Sequence, residues 1–176
     1  MAFFSQGISR YKLMLLFFLK QAQWDLTREQ LYRVMVEKDW MNYFDFQTAL
    51  LELEEDGYVT AVQRPFGQAF SISPEGEQAL ELFQKQLPLS LRQAMEEYVR
   101  QRGEALRCET QYVVRQQRQP DGSSKVELKV LDGADPILEL NFFVPTHEAA
   151  TLACQRWPER AQDVFRDILT RLAMGD

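Results

Sequence analysis

The side chains most often used in catalysis and metal binding are few in this sequence. His147 is the only histidine, and Cys108 and Cys154 are the two cysteines, far apart along the chain. A structural zinc site needs closely spaced Cys or His ligands, so this spacing argues against one. A Cys–His nucleophile pair that meets only in the folded chain stays open, but buried or merely tolerated thiols are the simpler interpretation.

Glycines and acidic residues form no recognisable site either. The acidic run Glu52–Asp56 has the pattern of a solvated helix face, and Asp132–Asp135 lacks the ligand spacing of a calcium loop. Four glycines stand singly at predicted turns or a helix start, without a phosphate-loop or dinucleotide-binding pattern: Gly67, Gly76, Gly122 and Gly133. The sequence therefore predicts no catalytic residue, no metal and no cofactor, and we expect no enzymatic activity.

Composition indicates one or two small globular domains. The chain has 176 residues, of which 45% are hydrophobic and 26% charged, and its net charge is −6. Strong non-specific nucleic-acid binding usually requires a basic face, so the overall charge counts against it. The longest apolar run, Leu13–Leu19, is far shorter than the roughly 20 residues that cross a bilayer. We expect a soluble cytoplasmic protein with no membrane partner and no disulfide framework.

The first block, residues 1–87, has the element order of a winged helix-turn-helix domain. Ser9 is a predicted N-cap of helix one, Thr27 and Gln30 form a capping box for helix two, and helix three runs from Asn42 to Asp56 before Gly57. Two strands, 58–64 and 69–73, surround a predicted turn at 65–68, and a fourth helix follows Ser73. Eight apolar residues are predicted to share one core: Leu13, Leu16, Phe17, Leu31, Phe46, Leu50, Leu53 and Ile72.

The second block, residues 88–176, predicts an antiparallel three-stranded sheet packed with helices. Ser90 and Gln93 form a second capping box, and strands follow near 110–117, 125–131 and 137–144. Phe142 and Phe143 fall on opposite faces of the last strand. Two helices are predicted to close the chain, one short and starting at Thr146, the other after Pro158. The complete chain is thus an α+β protein of two domains.

Several segments carry a family resemblance. Residues 6–9, 12–13, 42–50 and 53–59 resemble a bacterial family of about this length that bears a domain-of-unknown-function label. More broadly, residues 50–59 and 70–76 resemble winged-helix transcriptional regulators. That resemblance implies that helix three enters the DNA major groove and that the hairpin contacts phosphates or the minor groove. Regulators of this kind usually carry basic residues on helix three, whereas residues 42–56 contain none.

Candidate DNA contacts follow from the winged-helix order. Four cations could meet phosphates, and three polar side chains on helix three could reach base edges or the backbone: Arg10, Lys12, Arg28 and Arg64, with Asn42, Gln47 and Thr48. Each cation is also an ordinary surface charge, and Asn42 could simply cap its helix. The alternative use of helix three is a protein groove, because Phe44 and Leu51 would lie on an acidic outward face.

Two functions therefore follow. The first is a DNA-binding transcriptional regulator that forms a homodimer through residues 88–176, with double-stranded DNA as its partner. The second is a winged-helix adaptor that binds a protein, and a small-ligand sensor is a third possibility. The outward face of helix three is the feature that separates the first two.

Overall fold

This computed structural model describes residues 6–64, 67–133 and 135–174. These residues form two three-stranded antiparallel sheets and six α-helices, joined by turns and short loops. The first elements along the chain are α1 (Gln6–Ala22), β1 (Leu26–Thr27), α2 (Arg28–Glu37), α3 (Tyr43–Glu55), β2 (Val59–Arg64), β3 (Gly67–Ile72) and α4 (Pro74–Phe83). After a 3-10 turn at Gln84–Gln86 come α5 (Leu89–Gln111), β4 (Tyr112–Arg118), β5 (Ser124–Asp132), β6 (Asp135–Val144) and α6 (His147–Leu169), followed by a π-helical turn at Thr170–Met174. The predicted α+β class is confirmed.

The first sheet has the strand order β1-β3-β2. Strand β3 pairs antiparallel with both neighbours, with Phe70 opposite Leu26 on one side and Ala61 on the other. Three helices precede the β2–β3 hairpin, and the short β1 lies between the first two. This arrangement is compatible with a winged helix. The sequence pattern missed β1, because a two-residue strand is too short to show alternation.

One apolar core holds these elements together. All residues from Leu13 to Leu19 are buried, since α1 lies in the centre and is apolar on every side. Seven of the eight residues predicted for this core are buried, and Ile72 is partly buried against it. The core also takes in Met95, Tyr98 and Leu106 from α5.

Local capping patterns correctly predicted three helix starts. Thr27 and Gln30 form the predicted capping box of α2, Asn42 caps α3, and Ser73 caps α4. Two other predicted caps were wrong: α1 begins at Gln6 and α5 at Leu89, so Ser9 and Ser90 lie inside their helices. Serine is tolerated in a helix, and the apolar packing of both helices continues past it.

The hairpin turn differs from its predicted position. Pro65 and Phe66 lie outside the described residues, while Gly67 and Gln68 are the first residues of β3 and not part of the turn. Gly67 pairs with Arg64 at φ +111, a backbone conformation that favours glycine.

The second sheet has the order β4-β5-β6, with α6 against one face. Phe142 packs with the core of this face and Phe143 is exposed, as the alternation predicts. The prediction of two closing helices was wrong, because α6 continues through Pro158. Trp157 is buried and donates a hydrogen bond from Nε1 to the Lys129 carbonyl at 2.9 Å. This tertiary contact fixes the helix where proline alone would favour a break.

The chain divides into two compact units, Met1–Leu106 and Arg107–Asp176. The sequence places the boundary at 87/88, where the composition changes. The first unit extends into α5 because the buried side chains Met95, Tyr98 and Leu106 belong to its core. In addition, the buried amide of Gln30 donates to the Leu106 carbonyl at 2.8 Å.

Candidate functional site

Helix α3 presents an apolar surface to solvent. Its buried side consists of Phe46, Ala49, Leu50 and Leu53. Successive helical residues are rotated by about 100°, which places Phe44, Thr48, Leu51 and Glu55 on the opposite side. Phe44 is 78% exposed and Leu51 52%, and Tyr43 beside them is 51% exposed. We call these five outward residues, Tyr43, Phe44, Thr48, Leu51 and Glu55, the α3 face.

A chain of aromatic rings supports the α3 face from below. The buried Phe46 lies 5.5 Å from Tyr32, measured between ring centroids, and Tyr32 lies 5.5 Å from Tyr43 in an edge-on contact. Tyr43 in turn contacts Phe44 edge-on at 5.6 Å. Such ring pairs prefer tilted and edge-on geometry, so each ring restrains the next. Phe44 is therefore exposed but held in place.

Lys12 lies beneath the C-terminal part of α3 and is buried. Its Nζ is 2.8 Å from a carboxylate oxygen of Glu52 and 3.0 Å from one of Asp56. Burial lowers the pKa of Lys12, but the hydrogen bonds and charges of Glu52 and Asp56 outweigh burial and raise it above the usual lysine value. Lys12 is thus a counter-charge for α3. Because its ammonium already contacts two carboxylates, it does not serve as a phosphate contact.

Arg28 and Gln47 meet at the side of α3. Arg28 Nη1 donates to Gln47 Oε1 at 2.9 Å, and the guanidinium lies 5.3 Å from the ring centre of Phe70. Both side chains line a shallow cleft of about 390 Å³ that Tyr32 and Gln68 also border. The partner amide is neutral, so this hydrogen bond does not cancel the positive charge of Arg28.

The remaining predicted positions are dispersed. Arg64 Nε donates to Asp25 at 2.6 Å, so its charge is paired, whereas Arg10 is exposed. The side chain of Asn42 accepts from the Asp45 backbone N–H at 2.9 Å and donates to the Asp45 carboxylate at 2.7 Å. Its amide is therefore engaged in capping. The structure brings Arg28 and Gln47 together and leaves Thr48 exposed on the α3 face.

Tyr43 contacts both Tyr32 and Phe44 and is not among the residues that the sequence predicts for the site. Three aromatic residues, Tyr43, Phe44 and Phe46, within one helical turn were a signal that could have identified it, because one turn cannot bury all of them on one side.

The described part of the chain contains no group of three or more His, Cys, Asp or Glu residues that could hold a metal ion. His147 is exposed in the first turn of α6, and both cysteines are half-buried. Burial raises the pKa of the Cys154 thiol, which disfavours the nucleophilic thiolate. Among the described helices, none has the length and hydropathy that a membrane-spanning segment requires.

A family model described as Domain of unknown function (DUF4364) matches residues 11–172. The chain belongs to this family. The matched range covers the α3 face and both sheets of this DUF4364 protein. No curated protein and no solved structure matches it significantly.

Proposed function

We propose that this DUF4364 protein is an interaction module that binds another protein through the α3 face. The observation that carries the proposal is the exposure of Phe44 and Leu51 on a helix without a single basic residue. Protein interfaces are centred on aromatic and apolar anchors, whereas DNA-binding surfaces are strongly positive. Burying each of these side chains against a partner is worth about 1.5–3 kcal/mol.

Charge defines the class of partner. The α3 face ends in the exposed Glu55, and the carboxylates of Glu52 and Asp56 share only the single positive charge of Lys12 in the contacts described above. Together with a net charge of −6, this makes the surroundings of the apolar centre acidic. The complementary surface is an apolar segment flanked by Lys or Arg, such as one face of a cationic amphipathic helix.

Pull-down experiments with matched variants test the proposal. Wild type, Phe44→Ala, Leu51→Ala and Leu82→Ala are immobilised separately and exposed to the same cell extract. Leu82 is an exposed leucine of α4, so its variant removes similar apolar area away from the α3 face. We expect one protein of the extract to bind to immobilised wild type and to the Leu82→Ala variant. The same protein should not bind to the Phe44→Ala and Leu51→Ala variants.

The purified partner then gives the deciding measurement. Calorimetric titration should show binding weakened about 10- to 100-fold by Phe44→Ala, as expected for a central aromatic anchor. Binding should also weaken as ionic strength rises, because the flanking charges are screened. A partner that binds wild type and Phe44→Ala equally would contradict the proposal.

Arg28 favours a second candidate, a winged-helix DNA-binding transcriptional regulator. Its hydrogen-bond partner Gln47 is neutral, and Thr48 and Arg10 are exposed. Asp25 compensates the charge of Arg64, and two carboxylates compensate that of Lys12, so of the four predicted cations Arg10 and Arg28 remain as charge-compensating phosphate contacts. Two contacts per subunit predict a slope of log affinity against log salt near about −2.

Mobility-shift assays on genomic fragments at low salt distinguish the two candidates. If DNA is bound, replacing Arg10 and Arg28 with Gln should flatten the salt slope by about two, and Gln47→Ala should change sequence preference without changing the slope. Arg118→Gln, at an exposed position of β4, is the matched control and is expected to leave the slope unchanged. No retardation of any fragment would reject the DNA candidate and leave the protein-binding one.

A further inference from the structure

A second cleft in the first unit shares no residue with the α3 face. It has a volume of about 490 Å³ and is bordered by the end of α1, the segment that follows it, the hairpin strands and α4. Sites for small molecules commonly span about 300–1,000 Å³. We propose that this cleft, which we call the Trp24 cleft, binds a small zwitterion with an apolar side group, the chemical class of free amino acids.

Two positively and two negatively charged side chains line the Trp24 cleft. Arg64 Nε lies 2.6 Å from Asp25 Oδ2, and these side chains are only 16% and 19% exposed. Lys20 Nζ lies 2.8 Å from Glu77 Oε2 in the same wall. The four charges sum to zero. A ligand with one ammonium and one carboxylate keeps the cleft neutral, whereas a simple cation or anion would leave one charge uncompensated.

Arg64 is the side chain that would bind the carboxylate of the ligand. Its contact with Asp25 uses Nε alone, and no described residue accepts a hydrogen bond from its two terminal nitrogens. A guanidinium binds a carboxylate through two parallel N–H···O bonds, so these nitrogens match a ligand carboxylate. Ser71 also lines the cleft. Asp25 and Glu77 are the corresponding acceptors for the ligand's ammonium group.

Trp24 and its neighbours provide the apolar wall. Leu19 and Ile72 line the cleft beside the indole ring. Gly103 of α5 packs closely against that ring, because a Cβ at this position would lie 3.0 Å from Trp24 Cη2. Trp24 Nε1 is buried and has no hydrogen-bond partner among the described residues. An aliphatic or aromatic side group of the ligand would pack here.

Titration of the full chain with L-phenylalanine and two analogues tests the charge requirement. Phenethylamine lacks the carboxylate and 3-phenylpropionate lacks the ammonium, while both keep the ring. We expect calorimetry to show L-phenylalanine binding at least about tenfold more tightly than either analogue. Equal binding of an analogue would overturn the proposal. So would the absence of binding and of thermal stabilisation for all twenty free L-amino acids at about 10 mM.

Variants locate the binding in the cleft. Arg64→Gln should weaken L-phenylalanine binding by about tenfold or more, and Arg64→Lys, which keeps the charge but not the fork, should weaken it less. Glu77→Gln removes a half-exposed carboxylate, and we expect this variant to fold even if Arg64→Gln does not. Arg118→Gln in β4 is the matched control and should bind like wild type. Unchanged affinity for L-phenylalanine in both Arg64→Gln and Glu77→Gln would overturn the proposal. Phe44→Ala should bind L-phenylalanine like wild type, because Phe44 lies on the α3 face and not in the cleft.

Discussion

Lys12 supplies a positive charge to the acidic C-terminal end of α3. Its ammonium is buried beneath α3 and contacts Glu52 and Asp56. Removing it leaves two neighbouring carboxylates without a counter-charge at the C-terminal end of a helix, where negative charge is unfavourable. Because both carboxylates are partly exposed, we expect Lys12→Met to lower the free energy of unfolding by about 1–3 kcal/mol in urea. Arg10→Met, at an exposed position, should change it by less than about 0.5 kcal/mol.

The same contacts predict a pH dependence at the alkaline end. Glu52 and Asp56 raise the pKa of Lys12 in the folded state although burial opposes them, whereas the unfolded chain has the ordinary value near about 10.4. A raised pKa contributes stability that is fully present below the unfolded value and is lost as pH rises through the folded one. The difference in unfolding free energy between wild type and Lys12→Met should therefore shrink above about pH 10. A difference that stays constant to about pH 11.5 would show that the ion pairs do not stabilise the fold.

Within the element α3, two adjacent leucines have different roles: one is needed for folding, and the other belongs to the proposed binding surface. Leu50 is fully buried and Leu51 points outward. Leu50→Ala should cost roughly 2–5 kcal/mol through lost burial and the cavity left behind, while Leu51→Ala should cost less than about 1 kcal/mol. Chemical denaturation measures both. A loss below about 0.5 kcal/mol for Leu50→Ala would mean that the helix phase is wrong.

The start of α4 depends on a close backbone approach at Gly76. A Cβ added there would lie 2.0 Å from the Tyr58 carbonyl oxygen, which itself accepts a hydrogen bond from the Ser73 backbone N–H at 3.0 Å. Because this clash is with backbone, rotation of a side chain cannot relieve it. Gly76→Ala should destabilise the protein by about 2–4 kcal/mol, measured by thermal or urea unfolding. Gln78→Ala, at an exposed position of the same helix, is the control, and equal stability of the two variants would refute the close approach.

The sequence predicts the elements whose ends are set by neighbouring residues, and it does not predict those that depend on contacts with distant parts of the chain. The capping residues Thr27, Asn42 and Ser73 act within one turn, so the sequence alone locates the starts of α2, α3 and α4. Strand β1 exists only because it pairs with β3, and α6 continues through Pro158 because Trp157 is buried against the second sheet. The candidate site divides in the same way. The outward position of Phe44 and Leu51 follows from helical phase, but the pairing of Lys12 with Asp56 joins residues 44 positions apart.

At the scale of the whole molecule, the apolar stripe of α6 continues past the part that its sheet covers. Ala161 is buried and Val164 half-buried, whereas Leu169 is exposed and Leu172 is 83% exposed. Exposed apolar residues one turn apart at the end of a helix often form a subunit contact, and a two-fold pairing of this end would bury the same leucines on both chains. The homodimer that the sequence predicts through residues 88–176 stays a prediction, and we expect these leucines to form its contact.

Sedimentation or light scattering at about tens of micromolar measures that association. We expect a particle of twice the 20.6 kDa chain mass for wild type, and a shift toward the monomer when Leu169 and Leu172 are both replaced by Asp, because the contact would then place charges in an apolar interface. Leu82→Asp, which adds the same charge to an exposed leucine of the first unit, should remain dimeric. A wild-type protein that stays monomeric throughout this range would reject the homodimer. A dimer that persists in the α6 variant would instead place the contact elsewhere, with the exposed Phe143 of β6 as the next residue to replace.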